Sequence, residues 1–145
     1  LLFPVRTNLG NNLIGPTVLS RALVSGGLAG LIGMMNGVAI CQKADISLDH
    51  FKDIYIRRIN SMIGQESKRI IDAIAAKDTK STEASISAWG HGQEALLSIS
   101  KTLDSNLDFQ LALNSLFKQA VKSGLEDHDL SAMVKIFKMN KQSNE

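Results

Sequence analysis

The chain has 145 residues, of which 44% are hydrophobic and 21% are charged, a composition typical of a globular protein and not of a disordered one. Its 16 Lys and Arg residues against 14 Asp and Glu residues leave a net charge of +2, too small and too dispersed to indicate a nucleic-acid-binding surface. The single cysteine, Cys41, excludes an internal disulfide and favours a reduced, buried thiol in a cytoplasmic protein. The sequence begins with Leu1, and we interpret it as the C-terminal part of a longer polypeptide.

A segment without charged side chains, Ala22–Gln42, follows the first loop. About 20 residues of helix span roughly 30 Å, enough to cross either a bilayer or the middle of a folded domain. The segment is only mildly apolar and has no Trp or Tyr at its ends, which favours a helix buried nearly all round in a soluble protein over a membrane span. The spacings Gly26-x-x-x-Gly30 and Gly33-x-x-x-Gly37 indicate close approach of another helix.

Helix-period patterns of apolar residues continue to the end of the chain, and no sustained alternation indicates a strand. We predict that the first helix runs from a Thr17 cap to about Ala44, and that Ser47 caps a second helix, which Gly64 ends. Further helices are predicted at 66–76, from residue 93 through 103, around 113–121, and after residue 129.

Single residues mark several of these helix boundaries. Ser81 or Thr82 is a possible cap, whereas Gly90 and Gly92 are expected to interrupt the helical pattern between 77 and 92. Gly124 is expected to adopt the left-handed conformation beyond a helix end. The acidic run 126–129 is interpreted as helix capping, with Asp129 as the N-cap of the last helix.

Most common site types have no support in the sequence. Ser25-Gly-Gly-Leu-Ala-Gly does not match the G-x-G-x-x-G fingerprint and no strand precedes it, so we expect no dinucleotide site within this chain alone. The three histidines lie far apart, without a Cys or Glu at ligand spacing, and no metal site is predicted. The segment Trp89–Gly92 is compatible with a pocket mouth or with an exposed loop whose Trp packs on the core.

The segment Leu116–Phe137 carries an ordered set of residue types. An aromatic residue, an Ala three positions on, a Gly, acidic residues and a Ser-Ala pair stand at Phe117, Ala120, Gly124, Asp127, Asp129, Ser131 and Ala132. This order resembles the closing signature of the β-hydroxyacid dehydrogenase superfamily, which includes 3-hydroxyisobutyrate dehydrogenases, 6-phosphogluconate dehydrogenase-like proteins and imine reductases. The charge-free helix and the following Ser47–Phe51 are similar to that family's central helix and its successor.

The resemblance implies an all-α fold, a multi-helix domain of the 6-phosphogluconate dehydrogenase C-terminal type that spans residues 1–145 around one long apolar helix. It implies that a Rossmann domain outside this sequence binds most of the NAD(P) cofactor. The helical domain would then supply a homodimer contact through the long helix and one wall of a small-molecule substrate site. Neither a nucleic acid nor a membrane is expected as a partner.

The family's catalytic Lys lies shortly after a glycine at the start of the long helix, with an Asn four residues later. Counting from Gly15 places Ser20 or Arg21 in the Lys position and Val24 or Ser25 in the Asn position. The resemblance therefore makes Ser20 and Arg21 the candidate catalytic residues and Ser25 a candidate substrate-binding residue. Arg stays charged and Ser needs a separate activator, so ordinary Lys-dependent hydroxyacid oxidation is in doubt.

A later Lys-Asp pair of the family falls near Gln93 and Glu94, which makes Gln93 a second candidate substrate-binding residue. Imine reductases do without the catalytic Lys, so hydride transfer to a C=N substrate and loss of catalysis both stay open. The leading hypothesis is thus the dimerisation and substrate-side domain of an NAD(P)-dependent oxidoreductase, of hydroxyacid dehydrogenase or imine reductase type. The alternatives are a non-catalytic helical dimerisation module and a membrane-anchored helical protein.

Overall fold

The computed structural model describes residues 10, 13–80 and 83–139, and over these residues the chain is all-α, as expected. The helices are α1 (Gly15–Lys43), α2 (Leu48–Ile54), a π-helical turn (Tyr55–Ile59), α3 (Asn60–Ala76), α4 (Ile86–Thr102), α5 (Asp108–Lys122), a 3₁₀ turn (Leu130–Ala132) and α6 (Met133–Lys138). Two compact units, Leu1–Gly37 and Val38–Glu145, divide within α1.

The long helix α1 begins at Gly15, two residues before the expected cap, and none of its 29 residues is buried. Every residue from Arg21 to Ile32 is exposed, including Leu23, Leu28 and Leu31, whose side chains are 54–58% accessible. The prediction of a helix buried nearly all round is therefore wrong for the single chain. Burial of this apolar surface requires something beyond the described residues of one chain.

Local capping chemistry ends α1 and begins α2 as the sequence predicts. Asp45 has a positive φ of 55°, which turns the chain, and the Ser47 hydroxyl accepts a hydrogen bond of 3.2 Å from the Asp49 backbone N–H. An N-cap oxygen of this kind satisfies one of the free N–H groups of the first helical turn. The Lys43 ammonium donates to the Asp104 carbonyl at 2.9 Å.

Gly64 does not end a helix, contrary to the prediction. The chain stays helical from Leu48 to Ala76 through the π-helical turn, and the left-handed Lys77, with φ 57°, ends it. A glycine within a helix costs only about 1 kcal/mol relative to Ala, so good helix-forming residues on both sides carry the helix across it.

The predicted interruption at Gly90 and Gly92 is also wrong, because α4 passes through both residues. Its N-cap is Ser85, whose hydroxyl accepts from the Ala88 backbone N–H at 3.2 Å. A Cβ placed on Gly90 would lie 3.7 Å from the nearest atoms of Phe117, so α4 packs closely on α5 at this glycine. The alternative caps, Ser81 and Thr82, lie outside the described residues.

The core of the second unit lies where α4, α5, the 3₁₀ turn and α6 converge. Its buried apolar side chains are Ile86, Ala120, Leu125, Ala132 and Ile136. Gly124, just beyond the end of α5, has the predicted left-handed conformation, with φ 71°, and turns the chain toward this core. The first backbone N–H groups of α4 donate to backbone carbonyl oxygens of the segment before the 3₁₀ turn. Each N···O distance is 2.9 Å.

Asp129, the last residue of the acidic run, has the capping role that the sequence predicts. One oxygen of the buried Asp129 accepts from the Ser131 backbone N–H at 2.8 Å, and the other accepts from the Arg69 guanidinium at 2.9 Å. Arg69 also pairs with Glu66 on its own helix at 2.9 Å. Hydrogen bonds from Arg69 to Glu66, and then to Asp129, hold the pKa of Arg69 above its ordinary value despite partial desolvation.

Candidate functional site

The N-terminal part of α1 carries three of the predicted site residues, Ser20, Arg21 and Ser25, and all three are exposed. Arg21 and Ser25 are four positions apart on a continuous helix, so they share one face. Arg21 forms no ion pair with any described residue. Its guanidinium is free to bind a carboxylate or phosphate in a bidentate manner, whereas the Ser20 hydroxyl forms no hydrogen bond to a described base that would activate it.

Gln93, the remaining predicted site residue, lies on α4 in the second unit and is buried. Its amide nitrogen donates to the side-chain oxygen of Gln110 at 2.6 Å and to the Gln110 carbonyl at 3.2 Å. The observed geometry gives Gln93 a structural contact between α4 and α5. A substrate contact from Gln93 would require this amide to exchange partners.

The pocket-mouth interpretation of residues 89–92 holds for two of them. Gly90 and His91 lie on α4, not in a loop, and line a cleft of about 320 Å³ between α4 and α5. Trp89 is 38% exposed and does not line this cleft. The loop interpretation is wrong because the Ser85 cap and the contact with α5 keep this segment helical.

The α5 wall of this cleft was not anticipated from the sequence. It consists of Asn114, Phe117, Lys118, Val121 and Lys122. These positions follow the i, i+3, i+4, i+7, i+8 pattern of a single helix face. The pattern itself is visible in the sequence, but its pairing with α4 is not, because the expected break at Gly90 and Gly92 removed the opposite wall.

Metal chemistry has no support in the part of the chain that the structure describes, where no group of three His, Cys, Asp or Glu side chains is placed to hold an ion. Cys41 is a free thiol, half-buried near the end of α1. Among the described helices, α1 is long and apolar enough to cross a membrane by length and composition alone. A soluble dimer's central helix satisfies the same criterion when its partner is absent.

No protein-family model matches the sequence, and no curated protein matches it either. Solved structures do match the fold. An imine reductase from Pseudomonas sp. superposes with a TM-score of 0.77 at 24% identity, covering 84% of this chain and 41% of that chain. An imine reductase from Myxococcus stipitatus in complex with NADP⁺ gives a TM-score of 0.79 at 19% identity, covering 83% and 45% respectively.

The chain has the fold of the helical C-terminal domain of imine reductase-type proteins. A reductive aminase from Aspergillus terreus in complex with NADPH and ethyl levulinate also shares it, with a TM-score of 0.76 at 19% identity over 83% of this chain and 42% of that chain. The fold and the resemblance expected from the sequence are therefore confirmed. The chain spans less than half the length of these proteins, and identities of this size establish the fold alone.

Proposed function

We propose that this chain is the helical domain of an NAD(P)-dependent oxidoreductase of the imine reductase type, supplying its dimer contact and one wall of its substrate site. The observation that carries the proposal is the match over 83–84% of the chain to the helical part of such enzymes, two of them solved with NADP⁺ or NADPH. A helical fold alone supports many functions. The sequence signature at Leu116–Phe137 adds an independent reason for this one.

A Rossmann domain outside this sequence would bind NAD(P), because the chain has no phosphate-binding glycine loop after a strand. In this arrangement the helical domain contributes residues mainly toward the substrate. The protein would act in the cytoplasm on a small molecule, with no nucleic acid or membrane partner.

Dimerisation through α1 gives its exposed apolar surface a physical role. Monomeric soluble proteins rarely expose contiguous apolar patches of more than a few hundred Å², yet every residue of α1 from Arg21 to Ile32 is exposed. A Cβ at Gly26 or Gly30 would meet nothing within 4 Å in the single chain, so this side of α1 is open to a second helix. A two-fold symmetric contact between the α1 helices of two chains would bury the apolar surface of both helices at once.

Arg21 is the residue of α1 best suited to act on the substrate or cofactor. Its guanidinium is unpaired among the described residues, which suits an acidic substrate group or a cofactor phosphate. Ser20 and Ser25 would orient polar groups beside it. Without a Lys that can exchange a proton near neutral pH, reduction of a C=N bond fits the site better than hydroxyacid oxidation.

The test uses the complete gene product that contains this chain. With 1-pyrroline we expect oxidation of NADPH or NADH, because hydride passes to the imine carbon while the nitrogen gains a proton and becomes an amine. With 3-hydroxyisobutyrate and NAD(P)⁺ we expect no turnover. A Rossmann fingerprint upstream of Leu1 must accompany the activity. Its absence, together with no turnover of either substrate, would favour the non-catalytic dimerisation module instead.

An Arg21→Ala variant of the same protein tests the residue assignment. We expect KM for an imine carrying a carboxylate to rise at least about tenfold, the effect of losing one charge-assisted contact. Arg21→Lys should recover part of that loss, since the charge remains. Unchanged kcat and KM in Arg21→Ala would remove Arg21 from the site without affecting the fold assignment.

A further inference from the structure

A buried carboxamide without a partner lines the cleft between α4 and α5. Asn114 is only 7% exposed, and its side chain forms no hydrogen bond with any described residue. Gln110, one turn earlier on the same helix, is 1% exposed and accepts from Gln93 at 2.6 Å. Burial removes most of the water around this side chain and no described residue replaces it, so its amide is available to a ligand in the cleft.

The middle of the cleft is apolar and open. Phe117 forms its α5 side, and Gly90 faces it from α4 with no side chain of its own. The cavity volume of about 320 Å³ is within the range of small-molecule pockets. A flat or aliphatic group of modest size fits such a surface, because Phe117 and Gly90 pack against each other and together form an apolar wall of the cleft.

Opposite charges stand at the two ends of the cleft. The contacts of Gln93 with Gln110 and of Gly90 with Phe117 make α4 and α5 antiparallel. Glu94 therefore lies at the Asn114 end, Lys118 is level with Phe117, and Lys122 lies at the other end.

None of these three charged side chains forms an ion pair with a described residue. Two lysines four positions apart on a helix repel each other, and an anion placed between them relieves that repulsion. With one carboxylate against two lysines, the lining carries a net positive charge and favours a ligand with one negative charge.

We propose that this cleft binds a small monocarboxylate that has an apolar body and a hydrogen-bonding amide or hydroxyl group. Lys118 and Lys122 hold the carboxylate, the body lies over Phe117 and Gly90, and the polar group pairs with the Asn114 carboxamide. Glu94 accepts from the donor of the same polar group. The inference does not rest on the proposed oxidoreductase function, because every residue in it lies on α4 or α5 of this chain.

The first experiment is a titration of the ¹⁵N-labelled 145-residue chain, followed by NMR, with N-acetyl-phenylalaninate, 3-phenylpropanoate and 4-methylpentanoate as probes. We expect saturable shifts of the Asn114 side-chain NH₂ and the Gly90 N–H, with a Kd of about 1 mM or lower for N-acetyl-phenylalaninate. N-acetyl-phenylalaninamide, the uncharged amide of the same probe, should bind at least about tenfold more weakly. The proposal is overturned by the absence of saturable shifts with all three carboxylates, or by equal affinity for the neutral amide.

Variants separate a binding role of Asn114 from a merely structural one. Asn114→Leu removes the unpaired polar group and keeps the number of side-chain heavy atoms, so we expect a higher Tm together with at least about tenfold weaker binding of N-acetyl-phenylalaninate. Lys118→Met should weaken binding by a similar factor without lowering Tm. Lys101→Met, an exposed change outside the cleft, is the matched control and should leave binding unchanged. Binding by Asn114→Leu and Lys118→Met as tight as that of the parent chain would refute the assignment.

Discussion

The carboxylate of Asp129 joins two parts of the chain that are distant in sequence. It is 1% exposed, caps the 3₁₀ turn through the Ser131 N–H, and pairs with Arg69 on α3. Its own backbone N–H donates to the Thr79 carbonyl at 2.9 Å. A buried charge of this kind is tolerated because each oxygen has a donor, and removing either donor weakens the compensation of its charge.

We expect Asp129→Asn to lower the free energy of unfolding by about 2–3 kcal/mol, because the amide keeps the size but cannot accept at both positions. The expected loss is smaller than the largest values for breaking buried ion pairs, because Arg69 is 42% exposed and water partly screens its charge. Urea denaturation followed by circular dichroism measures the change. Asp127→Asn, the same substitution at an exposed position two residues earlier, should change stability by less than about 0.5 kcal/mol. Equal effects of the two changes would contradict this account.

The buried amides of Gln93 and Gln110 provide a second residue-scale test, which concerns a predicted substrate-binding residue. Their hydrogen bond of 2.6 Å couples α4 to α5. We expect Gln93→Met to cost about 1–3 kcal/mol, because the Gln110 oxygen then loses a donor in a buried position. A double-mutant cycle with Gln110→Met should give a coupling energy of about 1 kcal/mol. Coupling near zero would leave substrate binding as the better explanation for Gln93.

Within α4, two glycines lie in a regular helix, which lowers its intrinsic stability. A Cβ on Gly92 would meet nothing within 4 Å, so Ala fits there without strain. Gly124, at φ 71° beyond α5, has equal space around it but a backbone conformation that Ala adopts only with strain.

We therefore expect Gly92→Ala to raise stability by about 0.5–1 kcal/mol and Gly124→Ala to lower it by about 1 kcal/mol. The two substitutions are chemically identical and both add a methyl group to open space, so opposite signs isolate the backbone effect. Thermal unfolding should show Tm shifts of roughly 2–5 °C in opposite directions. Shifts of the same sign would mean that one of these backbone conformations is not the one described.

Elements set by local chemistry could be predicted from the sequence, and elements set by packing could not. Ser47, Gly124 and Asp129 end or begin helices through hydrogen bonds and dihedral angles within a few residues, and all three predictions are confirmed. The predicted breaks at Gly64 and Gly90 failed, because a continuous helix or a contact with α5 outweighs a weak local preference.

The residues of the candidate site also differ in whether the sequence alone can predict them. The resemblance to a known family predicts Ser20 and Arg21 from their position in the chain, and both are exposed on α1 in the structure. Asn114 was not identified, because a polar residue within an amphipathic stripe has no sequence signal of its own. Only the pairing of α5 with α4 shows that its side chain is largely buried and forms no hydrogen bond with a described residue.

For the whole molecule, α1 is the element that the single chain does not explain. A helix with this much exposed apolar surface needs a cover, and the absence of side chains at Gly26 and Gly30 suits another helix better than lipid tails. Lipid tails adapt to any helix surface, whereas a partner helix gains van der Waals contact with α1 only if the two backbones come close. A substitution that blocks this approach but suits an isolated helix therefore distinguishes the two environments.

Gly30→Leu is such a substitution, and we expect it to convert a soluble dimer of the chain into monomer, weakening self-association at least about tenfold. In the single chain the new side chain meets nothing within 4 Å at its Cβ and improves helix propensity, so misfolding does not account for the loss. Ala39→Leu, at an exposed position of α1 about 180° around the helix from Gly30, is the control and should remain dimeric. Sedimentation equilibrium without detergent measures all three proteins. A parent chain that is monomeric, or that stays in solution only with detergent, would overturn the dimer proposal; a Gly30→Leu chain that associates like the parent would remove this face of α1 from the contact.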